Sequence, residues 1–169
     1  REVSHHCWDA TQRLLDMEAE GVCRQVLSPM PELLSYWFDV DDAVCMSEHI
    51  NGCLAKMMSS SPENFYGLGM VPLQDPERAA KLMSRLREDY GLVGIEVGTN
   101  INGRAIGDPF FEPIFAAAVQ YDLSIFIHPL HPAGVERIIG PPTMSALVAF
   151  PNETAFAAAS LVSGGMLTK

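Results

Sequence analysis

Cations are scarce in this chain: Lys and Arg number 11 against 21 Asp and Glu in 169 residues. A surface so biased repels nucleic-acid phosphates and anionic membranes, so neither is an expected partner, and an anionic substrate would need a local arginine. Long apolar runs are also missing. None approaches the roughly 20 residues that span a bilayer, and no signal-peptide pattern is present. The four cysteines, Cys7, Cys23, Cys45 and Cys53, include no C-x-x-C pair. Cys45 and Cys53 fall in a helical pattern and are expected to share a buried face, as reduced core thiols of a cytoplasmic protein. No G-x-G-x-x-G follows any strand-like run, which weakens a dinucleotide-binding reading, and no low-complexity linker divides the chain. The length suits one hydrophobic core. Since the chain opens on Arg1 and stops at "SGGMLTK", it reads as the interior of a longer protein.

What is there alternates. Four short apolar, β-branched runs, "VCRQVLS" (22–28), "FYGLGMVPL" (65–73), "LVGIEVGT" (92–99) and "SIFIHP" (124–129), read as strands. Helical patterns lie between them. "DATQRLLDMEAEG" has Asp9 as cap and Gly21 as stop, while "DPERAAKLMSRLREDYG" and "DPFFEPIFAAAVQYD" each open on Asp-Pro. "DDAVCMSEHINGCLAKMMSS" and "NETAFAAASLVSGG" supply two more helices, the second with Asn152 as the expected cap. Strands alternating with helices predict an α/β fold with a parallel sheet and right-handed crossovers. Either an open doubly wound sheet or part of a closed (β/α)8 barrel satisfies the pattern. Both build their sites where the strands end, here at Ser28-Pro29, Gln74-Asp75, Thr99-Asn100 and His128-Pro129.

Alternation puts Ser124, Phe126 and His128 on one strand face and Ile125 and Ile127 on the other. The aliphatic pair should meet helices, which turns His128 toward the site end of the sheet. A neutral imidazole there suits Zn²⁺ and similar ions, but a metal needs three or four ligands and no other residues have ligand spacing; a structural histidine fits the run equally well. His131 lies too far round the turn to share an ion with His128. His5 and His6 read as solvated loop residues and His49 as surface. Glu96 shares a face with Gly94 and Gly98. A carboxylate among glycines is either a buried polar group satisfied by a neighbour or one that tunes a metal site or binds substrate.

Taken together, Trp8-Asp9 before "LLDMEAEGV", then "QVLSPMPELLSYW", "GLGMVPLQDPERAAK", "GIEVGTNINGRAIGDPFFEPIFAAA", "SIFIHP" and "FPNETAFAAASLVSGGML", resemble the amidohydrolase-related metal-dependent barrel family. The nearest branch is that of the aminocarboxymuconate-semialdehyde decarboxylases. The resemblance covers nearly the whole chain. It implies a (β/α)8 TIM-type barrel, of which this chain covers roughly strands 2 to 5, with residues 1–169 forming part of a single barrel domain. It also implies that His128 ligates a divalent metal, Zn²⁺ or alternatively Mn²⁺, and that Arg1, seven residues before Trp8, holds a substrate carboxylate. A guanidinium fork suits that task, although an exposed end residue is the plain alternative.

By the same resemblance, the first-strand His-x-His pair would precede Arg1. The acid/base histidine and the last-strand aspartate would follow Lys169. The chain therefore carries no expected catalytic acid/base of its own, and these residues alone are expected to be inactive. After His128-Pro129 the chain has Leu130-His131 where the decarboxylases have Trp-Asp, which leaves the substrate open. The implied activity is non-oxidative decarboxylation of a small unsaturated or aromatic carboxylate by a homodimer without an organic cofactor. Hydrolysis or hydration at the same site, or a binding module without catalysis, are the alternatives.

Overall fold

The computed structural model describes residues 4–168. Its spine is a parallel sheet of β1 (Gln25–Leu27), β2 (Phe65–Gly69), β3 (Gly94–Gly98) and β6 (Ser124–His128), adjacent in that order. The remaining strands, β4 (Asn100–Ile101) and β5 (Arg104–Ala105), form a small antiparallel hairpin beyond β3. The helices are α1 (Ala10–Glu20), α2 (Val40–Ser60), α3 (Pro76–Glu88), α4 (Glu112–Gln120) and α5 (Phe150–Ser163).

Local chemistry explains most boundaries. The Asp9 and Asp75 carboxylates accept from the backbone N–H groups of Gln12 and Arg78, each at 3.0 Å, satisfying donors that have no partner inside the helix. Gly21 ends α1 in the left-handed conformation, at φ 70°. The Asp108-Pro109 signal starts a 3-10 turn, Pro109–Phe111, and the α-helix begins after it at Glu112.

Two sequence expectations fail here. Asn152 is not the cap of α5, which begins at Phe150 on a π-helical turn, Ser145–Ala149. The chain is already helical there, so Pro151 and Asn152 fall within the first turn. Cys45 and Cys53 are exposed, as are Cys7 and Cys23. The buried face of α2 is instead Ala43, Ser47, Asn51 and Leu54. Asn51 on that face is tied to both backbone groups of Met70, just after β2, which turns the sulfurs outward.

The sheet has two unlike faces. Pairing sets Val26 beside Tyr66, Leu68 beside Gly94, and Glu96 and Gly98 beside Phe126 and His128. In-register residues of parallel strands share a face, so these line one side. The opposite side holds Ile95 and Val97, both buried, with Ile125 and Ile127, and packs into the core with Phe65, Met83 and Leu86. Because the four strands follow chain order without reversal, and the aliphatic side faces the helices, the sheet is a stretch of (β/α) barrel wall rather than a doubly wound sheet. Among the described residues, no helix is long and apolar enough to cross a membrane.

Candidate active site

The helix-free face of the sheet carries its polar groups at the strand carboxyl ends, where the barrel architecture places chemistry. His128 closes β6 opposite Gly98, the last residue of β3. Its Nδ1 lies 3.0 Å from the carbonyl oxygen of Pro129. A carbonyl only accepts, so Nδ1 carries the proton, and in the neutral ring Nε2 keeps its lone pair. That is the arrangement a metal-ligating histidine needs, its other nitrogen anchored by a backbone acceptor. Phe126, two residues earlier on the same face, meets the ring edge-on with centroids 6.3 Å apart.

Glu96 lies one diagonal step away on β3 and is 2% exposed. Its Oε1 is buried with no hydrogen-bond partner. Burial raises the carboxyl above the ordinary glutamate range; the Ser28 hydroxyl, donating to the carboxylate just after β1, and the proximity of His128 oppose this less strongly. So Glu96 is only partly satisfied by its neighbour. Glu96 shares the sheet face of His128, and an orphan oxygen there fits a site built to receive a cation or its bound water. Among the described residues, no three His, Cys, Asp or Glu side chains converge as a metal cluster. The donors present, an anchored imidazole and a desolvated carboxylate, match a hard or borderline divalent ion in kind.

Tyr36, which sequence reasoning passed over, holds the end of β3. Its buried hydroxyl accepts from Gly98 N–H at 2.9 Å. A Cβ on Gly98 would come within 2.9 Å of the Tyr36 ring and 3.0 Å of the Asn100 carbonyl oxygen, so glycine is what lets the phenol close over the strand beside His128. Burial pushes the Tyr36 phenol up, keeping it neutral. The signal was a tyrosine shortly after β1, and nothing local reveals which strand it reaches.

The other histidines have neighbours of their own, and His5 and His6 lie in a 3-10 turn, His5–Cys7, rather than in an open loop. His131 is exposed at φ 48° and meets Trp37 edge-on, centroids 5.4 Å apart. His6 pairs with Asp16 at 3.0 Å, His5 sits edge-on to it, and His49 is exposed near Cys53. Arg1 lies outside the described residues. Cavities open beside α1 and α2 at the β1 edge and among the loops at the carboxyl ends of the strands. One, of about 710 Å³, borders Ser28, Trp8, Arg13 and Lys56; the other, of about 410 Å³, lies among Tyr36, Trp37, Asn100, Leu130 and His131.

Known proteins give this geometry a context. A 2-amino-3-carboxymuconate-6-semialdehyde decarboxylase of Dictyostelium discoideum is 33% identical over 171 residues, covering 100% of this chain and 47% of that protein. The chain spans about half the length of the curated relatives it matches. A crystal structure of 5-carboxyvanillate decarboxylase from Sphingomonas paucimobilis superposes with a TM-score of 0.83 at 28% identity, over 93% of this chain and 47% of that one. The 5-carboxyvanillate decarboxylase of Novosphingobium aromaticivorans, solved with manganese and 4-hydroxy-3-methoxy-5-nitrobenzoic acid, gives 0.77 at 29% identity, over 89% and 44%. The family model for amidohydrolases matches residues 2–169. The chain belongs to the amidohydrolase family.

Proposed function

We propose that this chain is the strand 2 to 5 part of a metal-dependent, non-oxidative decarboxylase acting on a small unsaturated or aromatic carboxylate. The observation that carries the reading is His128, placed at the carboxyl end of β6 with Nε2 free, beside the desolvated and half-satisfied Glu96. The similar proteins are decarboxylases of a carboxymuconate semialdehyde and of carboxyvanillate, and one was solved with manganese. His128 is proposed as a ligand of a divalent ion, Zn²⁺ or Mn²⁺, with Glu96 next to it. Such an ion, when bound, supplies Lewis-acid chemistry, polarising a substrate oxygen and activating water.

This chain's own residues then hold and orient. Arg1 is proposed to grip the departing carboxylate as a planar fork. Glu96 presents its unpartnered oxygen to the site, and Phe126 with the sheet wall gives the ring or conjugated chain a flat apolar surface. In the reaction the bond from carbon to the carboxyl group breaks, carbon dioxide leaves, and the electron pair is taken up by a proton delivered to carbon from a group beyond this chain. The same proposal takes residues 1–169 as part of one barrel domain in a cytoplasmic homodimer.

The test uses the full-length protein. His128→Ala is expected to remove most of the bound metal, measured by elemental analysis, together with nearly all carbon dioxide release. Arg1→Ala should keep the metal and lose turnover. A full metal equivalent retained by His128→Ala would sink the ligand assignment, and water addition without carbon dioxide release would sink the reaction class.

A further inference from the structure

Beyond the site lies a buried carboxylate whose hydrogen-bond donors among the described residues are neutral. Glu153, in the first turns of α5, is 7% exposed. One oxygen, Oε1, accepts from Asn100 Nδ2 at 2.8 Å, and Oε2 accepts from Ala133 N–H at 3.1 Å. The Asn100 amide is fully used: Nδ2 also donates to the Leu130 carbonyl at 3.0 Å, and Oδ1 accepts from Gly103 N–H at 3.0 Å. Three segments therefore meet on one carboxylate: the hairpin after β3, the loop after β6, and α5. Burying a carboxylate on neutral donors is costly, so two well-aimed hydrogen bonds at 2.8 and 3.1 Å in this place point to a structure that has to be held.

What is held is the loop 129–134, which begins at Pro129, the acceptor for His128, and carries His131. His131 has φ 48°, a left-handed backbone that is uncommon for a residue with a side chain. The loop is held on either side of it, with Leu130 tied through Asn100 and Ala133 tied directly to Glu153. The result is that the His131 ring stands against Trp37 on the wall of the 410 Å³ cavity at the carboxyl ends of the strands.

We propose that Glu153 is a positioning residue that latches the loop 129–134 through Asn100 and Ala133, so that His131 and Trp37 form a substrate-selecting rim over the active site. The latch rests on geometry alone; the substrate it selects, a planar carboxylate, rests on the function proposed above. Glu153 touches no reacting atom. It acts through the loop, with His131 as the group that meets substrate.

The experiment takes the full-length, metal-loaded protein and compares wild type, Glu153→Gln, Asn100→Ala, His131→Ala and the Glu153→Gln/His131→Ala double variant. Glutamine keeps the shape but turns an N–H₂ toward one of the two donors, so one bond is lost. Amide hydrogen exchange in residues 129–134 is expected to rise about ten-fold in Glu153→Gln and in Asn100→Ala, with β3 and β6 unchanged and metal content intact. KM should rise several-fold in Glu153→Gln with kcat less affected, and that effect should vanish in the His131→Ala background, because two residues acting through one contact are not additive. Exchange within two-fold of wild type overturns the latch. Should Glu153→Gln not fold, Glu153→Asp, whose shorter side chain draws back from both donors, decides by the same criterion. Faster exchange from Asn100→Ala alone overturns the role of Glu153, since the Leu130 tie would then be sufficient. Additive KM effects overturn the route through His131. A wild type that decarboxylates nothing fails the proposed function, while the exchange result still decides the latch.

Discussion

At the scale of the residue, the site region depends on side chains that close the backbone's own hydrogen bonds. Asn51, in the middle of α2 and 3% exposed, gives Nδ2 to the Met70 carbonyl and takes the Met70 N–H, both at 2.9 Å. Tyr36 closes one such bond, its hydroxyl accepting the Gly98 N–H. Tyr36→Phe is therefore expected to destabilise the protein by about 1–3 kcal/mol, because the Gly98 N–H is left buried without an acceptor and the cost is that of desolvating it. Urea denaturation of the full-length protein checks this, and an unchanged midpoint would mean that water or another group takes over the N–H. His128 was legible from strand alternation and Pro129; its tautomer was not, because it is set by a carbonyl whose direction only the folded turn defines. Asn51 and Tyr36 were illegible because their partners lie 19 and 62 residues away.

Elements were easier to read where the chain carries its own start signal. Asp9 and Asp75 cap as expected, whereas Asp39, before α2, makes no side-chain cap hydrogen bond. The expected outcome is that Asp75→Ala costs about 1 kcal/mol and Asp39→Ala less than half of that, since only the first frees a helical N–H. Paired thermal melts measure the difference, and equal losses would show that first-turn charge, rather than the hydrogen bond, carries the effect. The β4–β5 hairpin was missed although its turn was in plain view. Asn102 and Gly103 sit at φ 50° and 83°, the positive values that an Asn-Gly turn provides for two-residue hairpins. With two-residue strands on each side, the run lacked the alternation by which strands were sought. The cysteine face of α2 was misread because several apolar faces compete on that helix. The face turned to β2 is set by Asn51, whose amide bonds the Met70 backbone, a partner 19 residues away.

At the scale of the whole molecule, the sheet ends in two open edges, β1 and β6, and its helix-free face exposes Val26, Tyr66 and Phe126. A barrel removes such edges by closure, and apolar groups on the inner face are then covered by the opposite wall. The 169 residues by themselves are therefore expected to self-associate, or to become soluble and monomeric only when the complementary strands are supplied. Sedimentation velocity with and without a co-expressed complement checks this. A monomer with a sharp cooperative melt on its own would show that the open sheet is self-sufficient.

The order of elements, the capped helix starts and the two-faced pattern of β6 were determined by the sequence alone, because each rests on residues within a few positions of one another. Even the family was readable there, as a succession of local motifs. Only the tertiary structure decided that the four strands pair in chain order, which separates a barrel wall from a doubly wound sheet. It alone brought Ser28, Glu96 and His128 onto one face from three strands, and joined Glu153 to Asn100 and Ala133. The physical reason is the same in each case. A buried polar group must find a partner wherever the fold supplies one, and the identity of that partner depends on register and packing between segments far apart in the chain.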